Sequence, residues 1–152
     1  MRIVLIGQAA FGVKVLENLL ERDEQVVAVY TPPDRGSRQD PLKEAAVAKD
    51  IPVFQPSTYK DDQVFSEYQE LEPDLTILAF VTDIIPERFF KLPSSGSICY
   101  HPSLLPLHRG SSAINWAVIK GRKICLTSRR VSRHHSGAWS MEHGAWSIAH
   151  RV

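Results

Sequence analysis

The sequence predicts an α/β domain built on a doubly wound, mostly parallel sheet. Three observations carry that expectation. "RIVLIG" (2–7) is a continuous β-branched run ending at Gly7, and "DLTILAF" (74–80) reads as a buried strand, as expected for strands covered on both faces of a parallel sheet. Between such runs lie stretches whose apolar residues recur at helical spacing. Strand and helix alternate along the first 127 residues, the order that a right-handed, parallel and Rossmann-like crossover fold demands.

The elements follow in order. After Gly7, the residues Val13, Leu16, Leu19 and Leu20 form an apolar stripe, with Lys14, Glu17, Glu21 and Arg22 between them. "QVVAVYT" (25–31) reads as a second strand, and the turn-rich "PPDRGSRQDP" as a long loop. Asp40 and Pro41 have the chemistry of an N-cap and a first helical residue for "LKEAAVAK". "IPVFQP" is a short strand, "DDQVFSEYQEL" a helix, 74–80 a buried strand and "PERFF" a helical turn or two. "GSICY" (96–100) gives another strand, and "SSAINWAVIKG" (111–121) a helix capped near Ser111 or Ser112. Ligands of such sheets bind outside the carboxyl ends of the strands, and the loops leaving Gly7, Phe80 and Tyr100 all emerge at that edge.

The bulk numbers exclude more than they assign. A chain of 152 residues suits one domain, and a net charge of +1 gives no field that points to nucleic acid or an anionic membrane. Cys99 and Cys125 form neither a disulfide framework nor a metal pattern, which suits a reducing compartment. The opening "MRIVLIGQAAFG" is too short an apolar run to span a membrane and lacks a signal-peptide cleavage pattern. A cytoplasmic protein with no membrane partner is expected. "GQAAFG" supplies Gly7 and Gly12 but not the middle glycine that admits a pyrophosphate, so a tight turn with close helix packing is the reading preferred over nucleotide binding.

Beyond Thr127 the character changes. The stretch 128–152 has no extendable strand or helix period, and it holds four of the six histidines. It repeats every seven residues, "GAWSMEH" then "GAWSIAH". A coiled-coil heptad does not fit this apolar spacing. The heptanucleotide GGAGCAT, read three times over, translates as Gly-Ala-Trp-Ser-Met-Glu-His and matches Gly137 to His143. The tail is therefore expected to be an unrelated, disordered appendage read from repetitive DNA after a frameshift, insertion or read-through. His134, His135, His143 and His150 need no metal to explain them.

The stretch with the clearest chemistry is "YHPSLLPLHRG" (100–110), where two prolines stiffen a loop that presents His101. Together with "IGQAAFG", "LAFVTDIIP" (78–86) and "GSICYHPSLLPLHRGSSAINW" (96–116), it resembles the catalytic domain of the 10-formyltetrahydrofolate-dependent formyltransferases. That group includes methionyl-tRNA formyltransferase, glycinamide ribonucleotide formyltransferase and the hydrolase domain of formyltetrahydrofolate dehydrogenase; the wording is most similar to the last. The resemblance covers 1–127 and implies the formyltransferase fold, truncated at its C-terminal side. It implies formyl transfer from 10-formyltetrahydrofolate, as co-substrate and without a metal, to an amine, with methionyl-tRNA as the acceptor.

By that resemblance His101 is the catalytic donor to the formyl oxygen. Asp83, Ile84 and Ile85, with Ser103, Leu104, Leu105 and Pro106, line the folate site. Two positions depart from the family pattern. Cys99 stands where the family's Asn-x-His triad has asparagine, and a thiol is the weaker hydrogen-bond donor. The register of the triad's aspartate falls at Gly137, and Glu142 is the one carboxylate side chain after His101. Impaired catalysis is therefore expected, with a non-catalytic folate-binding fragment or the remnant of a frameshifted gene as alternatives. Losing a sheet neighbour would leave an edge open to self-association.

Overall fold

The computed structural model describes residues 1–34, 36–37, 39–101, 115, 119–120 and 127–131, with residues 101 and 127–131 taken as backbone. The chain runs β1 (Arg2–Gly7), α1 (Ala9–Glu21), β2 (Gln25–Tyr30), α2 (Pro41–Val47), β3 (Val53–Phe54), α3 (Asp62–Glu70), β4 (Leu75–Ala79), α4 (Glu87–Lys91), β5 (Ser97–His101) and β6 (Thr127–Val131). These strands form one sheet in the order β3-β2-β1-β4-β5-β6. The first five strands pair in parallel, and β6 joins β5 antiparallel, with Ser97 opposite Val131 and His101 opposite Thr127. The doubly wound α/β expectation therefore holds, including the N-cap at Asp40 and proline at the start of α2.

β6 is the element that the sequence pattern misses. "TSRRV" joins the sheet through its backbone ladder with β5, and an outermost strand needs no apolar run to do that. The boundary drawn after Thr127 thus falls inside a strand, with Ser128 to Val131 belonging to the sheet. The rest of the tail, residues 132–152, lies outside the described residues, as does most of the helix expected over 111–121.

Alternate residues of β1 serve the two faces of the sheet. Leu5 packs with Leu16, Val29, Leu42, Ala46 and Ala79 beneath α1 and α2. Val4 and Ile6 pack with Tyr30, Tyr59, Tyr68 and Phe89 beneath α3 and α4. The first layer is aliphatic and the second aromatic, and burying each large side chain contributes roughly 1.5–3 kcal/mol. On the aromatic side, the Tyr68 hydroxyl shares a 2.5 Å hydrogen bond with Thr76 Oγ1 and donates to the Phe89 carbonyl at 2.9 Å. Burial holds the phenol in its neutral form, with its pKa pushed up to about 12.

Two glycines are fixed by close approach. A Cβ on Gly7 would lie 2.6 Å from the Ala79 carbonyl oxygen, and one on Gly12 would lie 2.7 Å from Leu42 Cδ2. The glycine pair of "GQAAFG" thus serves packing between strands and between helices.

Candidate active site at the carboxyl edge of the sheet

Because β1, β4 and β5 run parallel, their carboxyl ends lie on one edge of the sheet. The exits of β1 and β4 are coupled there. Gln8 N–H donates to the Ala79 carbonyl at 3.3 Å, and Gln8 Nε2 reaches Thr82 Oγ1 at 3.5 Å. Ala9 (φ 57°) and Phe80 (φ 61°) both turn through the left-handed region, which costs a non-glycine residue on the order of 1 kcal/mol. Two strained residues at adjacent strand exits mark a shape that the surrounding packing enforces.

Between these exits is a shallow, solvent-open cleft, lined by Gln8, Tyr30, Tyr59, Phe80, Thr82 and Asp83 among others. Tyr30 and Tyr59 form its aromatic floor, and their rings lie 6.2 Å apart. Burial raises the Tyr59 phenol well above its ordinary value, and the Asp83 carboxylate adds to the effect. The Tyr30 hydroxyl is buried without a hydrogen-bond partner among the described residues.

The predicted folate-loop residues divide by burial. Ile85 is buried against the aromatic layer, Asp83 is exposed, and Ile84 is 85 % exposed at the rim. His101 ends β5, with its backbone at the strand terminus. Beside it, Tyr100 packs against Phe11 from α1 in a tilted pair, with ring centroids 4.2 Å apart. The Cys99 thiol donates to the Tyr100 carbonyl at 3.4 Å, and burial pushes its pKa up. It is therefore neutral at ordinary pH and weak as a donor. Ser103, Leu104, Leu105 and Pro106, with His108, Arg109 and Gly110, lie outside the described residues.

Sequence reasoning missed Gln8, Tyr30, Tyr59 and Thr82 as cleft residues. Gln8 and Tyr30 had a signal, since each stands at the carboxyl end of a strand. Tyr59 had none, because it arrives from the connection between β3 and α3. Among the described residues, no cluster of three or more His, Cys, Asp or Glu could hold a metal, and no helix is long and apolar enough to cross a membrane.

A family model described as formyl transferase matches residues 1–128. The chain belongs to the formyl transferase family. It is 40% identical over 129 residues to a methionyl-tRNA formyltransferase of Alkaliphilus oremlandii, covering 81% of this chain and 42% of that protein. It is 43% identical over 129 residues to a cytosolic 10-formyltetrahydrofolate dehydrogenase of Xenopus tropicalis, covering 82% of this chain and 14% of that one. The chain therefore spans less than half the length of either relative. Its fold matches the crystal structure of a phosphoribosylglycinamide formyltransferase from Bacillus halodurans, with a TM-score of 0.71 at 17% identity, over 99% of this chain and 83% of that one.

Proposed function

We propose that this formyl transferase chain carries the formyl-donor half of a site that uses 10-formyltetrahydrofolate, with His101 as its catalytic residue. The observation that carries the reading is the position of His101 at the carboxyl terminus of β5, next to the strand whose exit loop bears Asp83, Ile84 and Ile85. Support also comes from the relatives, whose names pair a methionyl-tRNA formyltransferase with a 10-formyltetrahydrofolate dehydrogenase.

The chemistry follows from the donor. An amine nitrogen, or water, attacks the formyl carbon and forms a tetrahedral centre whose oxygen carries the new negative charge. The imidazole N–H of His101 hydrogen-bonds to that oxygen. The bond between the formyl carbon and N10 of the folate then breaks, N10 takes up a proton, and the attacking group loses one. Removing a donor of this kind typically costs ~10²–10³ in rate. Asp83, Ile84 and Ile85, with Ser103, Leu104, Leu105 and Pro106, present apolar walls and main-chain polar groups to the flat pterin. Methionyl-tRNA is the acceptor this reading favours, and a cytoplasmic location goes with it. Association of copies through a sheet edge, where β6 is outermost, belongs to the same proposal.

The second reading is a folate-binding fragment without turnover. It draws on the chain's lack of any aspartate after Asp83. The tail as translated repetitive DNA would account for that lack, and the nucleotide sequence tests it: synonymous codons that break the seven-base period across 137–143 would refute the origin. The deciding experiment follows folate-product absorbance for the full chain beside His101→Ala. A rate that His101→Ala abolishes supports catalysis. Equal traces above background exclude it. No turnover, with thermal stabilisation by a folate analogue, selects the second reading.

A further inference from the structure

The turn after the first strand is where doubly wound folds commonly seat a phosphate, on N–H groups at the start of the next helix. In this chain that place is taken. The Asp40 carboxylate, 31 residues further along, accepts from Ala9 N–H at 3.0 Å through Oδ1 and at 3.1 Å through Oδ2. Its Oδ1 also accepts from Leu42 N–H at 2.9 Å, so one side chain caps the starts of both α1 and α2.

The arrangement is held from several sides. Pro41 fixes the entry to α2, and the fully buried Leu42 closes on Gly12 of α1, where a Cβ would lie 2.7 Å from Leu42 Cδ2. Ala9 keeps its left-handed φ of 57° with its N–H ending on the carboxylate. Gly7 lies against the Ala79 carbonyl, so neither glycine opens the backbone to a ligand. An incoming phosphate would find the Ala9 N–H already bonded and a carboxylate within hydrogen-bonding distance of it.

We propose that Asp40 is a specificity-determining residue, a built-in anion that closes the β1–α1 turn to phosphate, so that this chain does not hold a phosphorylated ligand at that turn. The inference needs neither folate binding nor turnover, so its test is independent of the reading above.

The test is a titration of the ¹⁵N-labelled full chain with inorganic phosphate, with chloride at matched ionic strength as control. The amides of Gln8, Ala9, Phe11 and Leu42 are followed by NMR. Wild type is compared with Asp40→Asn and Asp40→Ser, both of which retain a capping oxygen for Leu42. The expected result is no phosphate-specific movement of Ala9 in wild type. The variants should show a saturable shift, with affinity raised by roughly tenfold or more once the adjacent charge is gone. A saturable Ala9 shift in wild type overturns the proposal, as do folded variants that gain nothing. If neither variant gives a dispersed spectrum, the wild-type titration decides alone: silence at Ala9 supports the proposal and a saturable shift there ends it.

Discussion

The β1–α1 corner and the β4 exit stand side by side on one sheet edge and are built in opposite ways. At the corner, the chain answers its own polar groups: Asp40 satisfies Ala9, Leu42 fills the space above Gly12, and Gly7 abuts the neighbouring strand. At the β4 exit the chain leaves groups unanswered. Asp83 and Ile84 face solvent, and the Tyr30 hydroxyl lies beneath the cleft without a partner among the described residues. A parallel sheet offers several strand ends of equal geometric standing, and local side chains decide which becomes stability and which becomes a site. Stability should therefore respond to the corner, and ligand chemistry to the exits of β4 and β5.

The largest expected effect is on the open side. His101→Ala should lower any folate-dependent rate by ~10²–10³, while leaving the melting temperature close to wild type. Steady-state absorbance and a thermal melt on the same preparation check both halves. A variant that melts far lower with its rate intact would erase the division between the two regions.

On the sealed side the effect should be on stability. Leu42→Ala removes a fully buried side chain and should cost about 2–5 kcal/mol, and Gly12→Ala about 1–3 kcal/mol by overpacking against Leu42. The two changes meet in space, since a Cβ on residue 12 would enter the volume of Leu42 Cδ2. The double variant should therefore lose less than the two single losses added together. Urea unfolding of all four proteins measures this coupling, and strict additivity would show that the corner is not closed by that contact.

How much of this was legible in the sequence depends on what each feature needs. Strands β1 and β4 were legible because burial on two faces leaves a mostly apolar stretch, and α2 because Asp40 and Pro41 are local signals. The second duty of Asp40, on Ala9, was not, because it joins residues 31 apart through a packing of two helices. β6 was hidden for a related reason: its place depends on the backbone ladder with β5, and "TSRRV" has no pattern of its own. Within the site, residue type and loop stiffness singled out His101 in "YHPSLLP", and its catalytic role was implied only by the resemblance to the family. Tyr59 could be found only once the fold had carried it beneath the cleft.

The aromatic layer under the open side gives a smaller but two-signed contrast. Tyr68→Phe strands Thr76 Oγ1 and the Phe89 carbonyl in a buried place and should cost about 1–3 kcal/mol. Tyr30→Phe deletes a buried hydroxyl that has no partner among the described residues, so it should be neutral or stabilising. Denaturant midpoints compare the pair directly, and equal losses would mean that the two hydroxyls are equally well served. Away from both regions, the Arg2 backbone N–H and the Ser94 hydroxyl hold the Asp74 carboxyl below its usual range. A lowered folded-state pKa gives stability that is present above the unfolded value and is lost as pH falls through the folded one. Asp74→Asn should thus flatten the acid limb of the stability profile and leave the neutral limb's slope unchanged.

The smallest structural effect is expected at Ile84, and it separates the two regions most cleanly. With 85 % of the residue exposed, Ile84→Ser removes almost nothing from the core and should change stability by no more than about 0.5 kcal/mol. Its neighbour Ile85 is buried against the aromatic layer, so Ile85→Ser exposes the fold to the cost of burying a hydroxyl and should destabilise by several times as much. Folate-analogue affinity, read by thermal shift or calorimetry, should fall for Ile84→Ser despite its native stability, because an apolar rim residue that stabilises nothing at home is free to cover a ligand. Unchanged affinity in a fully folded Ile84→Ser protein would remove this residue from the folate wall and shift the ligand's apolar contacts toward 103–106.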